Sequence, residues 1–70
     1  MHITQGAVKI IELVGISTKS FDDAVAQAVT KAGQSIHGIT GVQVLHFSAH
    51  VESDRITEYH ANVKVAFAVE

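Results

Sequence analysis

Apolar and polar residues alternate most regularly in the last third of the chain. Between Ile56 and Val69, the residues Tyr59, Ala61, Val63, Val65, Phe67 and Val69 share one parity, while Glu58, His60, Asn62 and Lys64 share the other. Period two is the signature of a strand with one apolar face, so the polar face is left for chemistry or an interface. A second run rich in β-type residues, Val42 to Val51, comes before it, and Glu52-Ser53-Asp54-Arg55 is the only break between them. The pair predicts a long β-hairpin. Three of the five histidines, His46, His50 and His60, fall on its strands.

Two further elements precede the hairpin. Ala7 to Gly15 is a β-rich run interrupted by charge only at Lys9 and Glu12, and it predicts a first strand closed by Gly15. Ser20 then leads Phe21-Asp22-Asp23 in the S-x-x-D form of a capping box, with two acids where the helix dipole favours them. The apolar positions Phe21, Ala24, Val25, Ala28, Val29, Ala32 and Ile36 follow helical spacing, and Gly38 is the expected stop. The order is therefore β1-α-β2-β3 in one domain spanning residues 1–70. A crossover of this length lets the first strand return beside the last, giving an α+β fold with an antiparallel sheet in the order 1-3-2 and a helix on one face. Val8, Ile10, Val14, Val42 and Val44 are expected to point to the other face, which another copy of the chain would cover.

Composition sharpens that expectation. Seventy residues, 47% of them hydrophobic, carry more apolar surface than one helix and three strands can hide among themselves, so a closed homo-oligomer is expected. The absence of cysteine removes disulfides and thiolate metal sites. No segment approaches the roughly 20 apolar residues of a membrane span, and no signal-like N-terminus is present. A soluble, cytoplasmic protein without a membrane partner follows as the expectation. A net charge of −2, with five Lys and Arg scattered singly, argues against a nucleic-acid partner.

Catalysis has little support. None of Ser17, Ser20, Ser35, Ser48 or Ser53 has an adjacent base or a glycine-rich elbow, and Ser20 is better used as a cap. Glu12 and Glu58 are better read as ion-pair partners between subunits, with Lys9, Lys64 or Arg55. An even hairpin register would gather His46, Ser48 and His50 with Glu58, His60 and Asn62 on the face away from the helix. Those side-chain types can bind zinc, copper or nickel, which makes His46, His50, Glu58 and His60 candidate metal ligands. His46 and His50 alone lie roughly 13 Å apart on a strand and cannot chelate one ion. Hydrogen-bonded histidines at an interface or facing a lumen are the plainer reading. His2 and His37, at a terminus and a helix end, are assigned solvated roles.

Val8-Lys9-Ile10-Ile11-Glu12-Leu13-Val14-Gly15-Ile16-Ser17, a helix of this length, and the ending Val63-Lys64-Val65-Ala66-Phe67 together resemble the dodecins, whose members read approximately as VELVGTS, helix, WFEV, hairpin and VKVGF. The likeness runs without a gap from about Val8 to Glu70. It implies a sheet wrapping its helix, with twelve copies forming a hollow sphere that binds flavins such as riboflavin or FMN without acting as an enzyme. The tryptophan that stacks on the flavin falls on Gly41, close to Gln43, and the glutamine that bonds the polar edge of the isoalloxazine falls on His60. The arginine that often follows the phenylalanine of the last motif is replaced by Ala68. Glycine offers no π face, so the resemblance implies a binding and storage protein whose flavin site is weakened or altered. The alternative is a shell of the same type that holds another ligand or metal ions through its histidine-rich face; an enzyme with a site between subunits is a third reading. The neutral imidazole of His60 can both donate and accept, and so could replace the glutamine.

Overall fold

The computed structural model describes residues 6–69. Three strands and a helix follow in the expected order: β1 (Val8–Ser17), α1 (Phe21–Gly33), β2 (Ile39–Glu52) and β3 (Arg55–Ala68). β3 lies between β1 and β2 and runs antiparallel to both. The single crossover through α1 and the hairpin between β2 and β3 produce the 1-3-2 order.

The helix begins where the sequence predicts, with a different set of bonds. Ser20 Oγ accepts from the Asp23 N–H at 3.0 Å. The reciprocal half of the capping box is taken over by Ser17, which donates to Asp23 Oδ2 at 2.6 Å and accepts from the Lys19 N–H at 2.9 Å. The end of β1 is thereby tied to the first turn of α1. β1 does not close at Gly15 but continues to Ser17. Gly15 serves close packing instead: a Cβ there would overlap the carbonyl oxygen of Ala24 and come within 2.9 Å of the Ala28 methyl. The helix stops at Gly33, earlier than expected, because the Gln34 N–H turns back onto the carbonyls of Lys31 and Ala32. Gly38, at φ +76°, bends the chain into β2, and its carbonyl accepts from the Ala68 N–H at 3.0 Å.

Ala24, Ala28 and Ala32 form the buried stripe of α1, set against Ala61, Val63 and Val65 of β3. Small residues at i, i+4, i+8 let the helix sit close to the sheet, and Ile11, Leu13, Val25, Ile39 and Tyr59 pack around that seam. Phe21 adds an aromatic cluster at the helix start, with ring centroids 5.0 Å from Phe47 and 4.9 Å from Tyr59. This core is slender. The Cα radius of gyration is 13.8 Å, against about 11 Å for a compact chain of this length.

The hairpin turn is tighter than the four-residue break suggests. Glu52 pairs with Arg55, and Ser53 and Asp54 alone make the loop, both with positive φ (51° and 63°). Those angles match the type I′ turn, which suits the twist of a hairpin but strains a side-chain-bearing residue. Asp54→Gly is expected to stabilise the chain by about 1 kcal/mol and raise the thermal midpoint by several degrees. An unchanged or lower midpoint in a thermal melt would count against this reading of the turn.

Candidate functional site

The face away from the helix is defined by register. Val8, Ile10, Glu12, Val14 and Ile16 of β1 lie opposite Ala68, Ala66, Lys64, Asn62 and His60 of β3. On the other side of β3, His46, Ser48 and His50 lie opposite Asn62, His60 and Glu58. The histidine rows thus follow the even register. Beyond them the pairing slips by one residue at Thr40 and Leu45 of β2 and at Thr57 of β3.

The Leu45 bulge changes which residues share the face. One extra residue reverses the alternation. Val42 and Val44 therefore pair with Val65 and Val63 on the helix side, contrary to the expectation that they join the outer face. They stay exposed because α1 lies chiefly over β1 and β3 and does not extend across β2. Gly41 and Gln43 take their place on the outer face, opposite Ala66 and Lys64. Val8, Ile10, Val14 and Ile16 point outward from β1 and are 41–53% exposed.

Gly41 and Gln43 line an open recess of about 240 Å³ together with Ile10, Val42, Lys64 and Ala66. Its walls are largely apolar, with the Gln43 amide and the Lys64 ammonium as polar groups. A Cβ built on Gly41 meets nothing within 4 Å, so this position opens onto free space. Ile10, Lys64 and Ala66 were not singled out as lining residues from the sequence, because only the pairing of three strands brings them beside Gly41.

His60 lies elsewhere on the face. It lies four positions along β3 from Lys64, roughly 13 Å along the strand, so one chain does not bring Gly41 and His60 together. His60 Nε2 lies 2.9 Å from Glu58 Oε1, and His50 Nε2 lies 3.6 Å from Glu52 Oε2. Glu58 thus has a histidine partner within its own strand, and Glu12 faces Lys64 across the β1–β3 pair. Among the described residues, no three His, Asp or Glu side chains converge on a common point that could hold a metal ion. His37 borders a shallow recess with Ser35, Ile36, Phe67 and Ala68, while His2 lies outside the described residues.

A single helix on one face of a three-stranded sheet, with an open recess and an apolar stripe on the other face, defines a small α+β subunit. The chain belongs to the dodecin family, whose model (Dodecin) matches residues 7–70. Among solved structures, dodecin from Streptomyces coelicolor is 25% identical with a TM-score of 0.91, each chain being 97% covered. The calcium dodecin of Mycobacterium tuberculosis, described as a calcium-chelating immunodominant antigen with a novel calcium-binding site, is 29% identical over 93% of each chain, with a TM-score of 0.80. Dodecin from Streptomyces davaonensis, 20% identical with a TM-score of 0.88 over 91% of this chain and 94% of that one, supports the fold alone. No curated protein sequence matches significantly. Dodecins are small-ligand binding proteins rather than enzymes, and they form homo-oligomers. Among the described residues, no helix is long and apolar enough to cross a membrane.

Proposed function

We propose that this chain is the subunit of a cytoplasmic, non-enzymatic dodecin-type storage protein, a homododecamer whose flavin site is altered at Gly41 and His60. The observation that carries the reading is the open recess at Gly41. It lies on the outer face, beside the apolar residues Ile10 and Ala66, and the resemblance makes Gly41 the counterpart of the family's stacking tryptophan. A planar ring entering this recess would find apolar walls, the Gln43 amide and the Lys64 ammonium, but no aromatic face. Riboflavin or FMN would bind loosely, because buried area and stacking are lost together. His60 would reach the same ligand from another subunit, since within one chain it is too far away.

Gly41→Trp tests the reading. Nothing stands within 4 Å of a Cβ at this position, so a side chain has free space to start from there. An aromatic pair contributes about 1 kcal/mol beyond its buried area, and riboflavin should bind at least about tenfold tighter, with quenching of its fluorescence. Tight binding by the unsubstituted protein, or no gain in a variant that remains assembled, would mean that the ligand lies elsewhere.

A second reading rests on the row formed by His46, His50, Glu58 and His60. The calcium-chelating relative shows that a dodecin can hold ions, but calcium takes oxygen ligands, whereas imidazoles with a carboxylate suit zinc, copper or nickel. Within one chain these groups do not converge, so such an ion would have to be shared between copies. Elemental analysis of the colourless, metal-exposed oligomer separates the two: stoichiometric metal that is lost in His60→Ala favours the shell with ions, and its absence favours the altered flavin site.

A further inference from the structure

We infer that Glu58 fixes the neutral imidazole of His60 with its proton on Nε2 and leaves Nδ1 as a hydrogen-bond acceptor toward the outer face, so that the site selects ring ligands whose edge presents an N–H or O–H donor. The inference rests on the reading of the outer face as a ligand face. Glu58 Oε1 lies 2.9 Å from His60 Nε2. An ionised carboxylate only accepts, so the proton of the neutral imidazole must sit on Nε2, and Nδ1 is left with a lone pair. Among the described residues Nδ1 has no partner, yet no buried side-chain nitrogen or oxygen there lacks one, so this atom opens to solvent. Its row-mates, Ile16 on β1 and Ser48 on β2, carry no charge that would compete for it.

The consequence differs from that of a primary amide in the same place. A glutamine side chain offers a donor and an acceptor next to each other and suits an imide edge through both. The Glu58–His60 pair offers one acceptor. It therefore favours a ring N–H or hydroxyl and disfavours an edge that bears only carbonyls or is N-alkylated, because a buried lone pair would then be left unmatched. Glu58 acts as a positioning residue, since it touches the ligand only through His60.

Two measurements on the full-length, assembled protein at pH 8 test this. Long-range 1H–15N correlation spectra should show His60 as a single tautomer, with Nε2 protonated and Nδ1 of pyridine type. In Glu58→Gln, whose amide can also donate, the two tautomers should mix. Riboflavin, which carries a ring N–H, should bind about tenfold tighter than its N3-methyl derivative, and Glu58→Gln should shrink that ratio. A mixed or Nδ1–H tautomer in the unsubstituted protein overturns the inference at its root. The expected tautomer with equal binding of the two flavins overturns the donor selection. The expected tautomer with binding of neither flavin, even in the Gly41→Trp background, overturns the ligand reading of this face and the selectivity with it.

Discussion

Gly15→Ala is expected to cost about 3 kcal/mol or more and to lower the thermal midpoint by roughly 10–20 °C. The cause is space rather than backbone angle, since no left-handed φ is involved. The added methyl would overlap the Ala24 carbonyl oxygen and press on Ala28 Cβ at 2.9 Å, and the first of these is helix backbone that cannot rotate away. To admit it, α1 must lift off β1, which opens the seam of Ala24, Ala28, Ala61 and Val63. A domain of this size has only about 4–10 kcal/mol of stability to lose. Gly33→Ala provides the internal control: it lies at the end of α1 with nothing nearer than Ile39 Cδ1 at 4.0 Å, so alanine should be neutral or stabilising by up to about 1 kcal/mol. Denaturation midpoints of the two variants decide the matter, and a Gly15→Ala protein as stable as its parent would show that the helix does not approach the strand this closely.

Ile10→Asp is expected to dissociate the oligomer while leaving the subunit fold recognisable. Ile10 is 53% exposed in the isolated chain, at the centre of the outward stripe formed by Val8, Val14 and Ile16. A surface change of this kind alters the stability of one chain by about 1 kcal/mol at most. Between subunits the same carboxylate would be an unpaired charge in an apolar contact, at a cost of several kcal/mol for each copy. Light scattering should show the mass falling toward that of a small species, with the strand signal in circular dichroism retained. A monomer mass for the unsubstituted protein at micromolar concentration, or a full-sized Ile10→Asp assembly, would remove the outer face from the subunit contact.

Much of the fold was legible from local chemistry. Alternation marked the hairpin strands, Ser20 with Asp22 and Asp23 marked the start of the helix, and one crossover plus one hairpin left little choice but the 1-3-2 sheet. The errors were local as well. Gly15 and Gly38 both read as stops, yet the first is a contact point and the second a bend five residues beyond the helix. A glycine looks the same in sequence whether it relieves a backbone angle or makes room for a neighbour.

The candidate site was legible only in part. Residue types on the polar parity of β3 named His60 and Glu58, and the family resemblance named Gly41, but neither could say which of these residues share a face with which of β2. By itself the sequence determined the identity of each element and the apolar parity of β3, because helix caps and period-two alternation are written in neighbouring residues. Only the tertiary structure decided that Val42 and Val44 turn toward the helix side, that Gly41 and Gln43 look outward beside Ile10 and Lys64, and that Glu58 takes the Nε2 of His60. The physical reason for the first two is the bulge at Leu45: a single unpaired residue reverses the side chains from there to the next slip at Thr40, and whether a strand bulges is settled by its partner rather than by its own sequence.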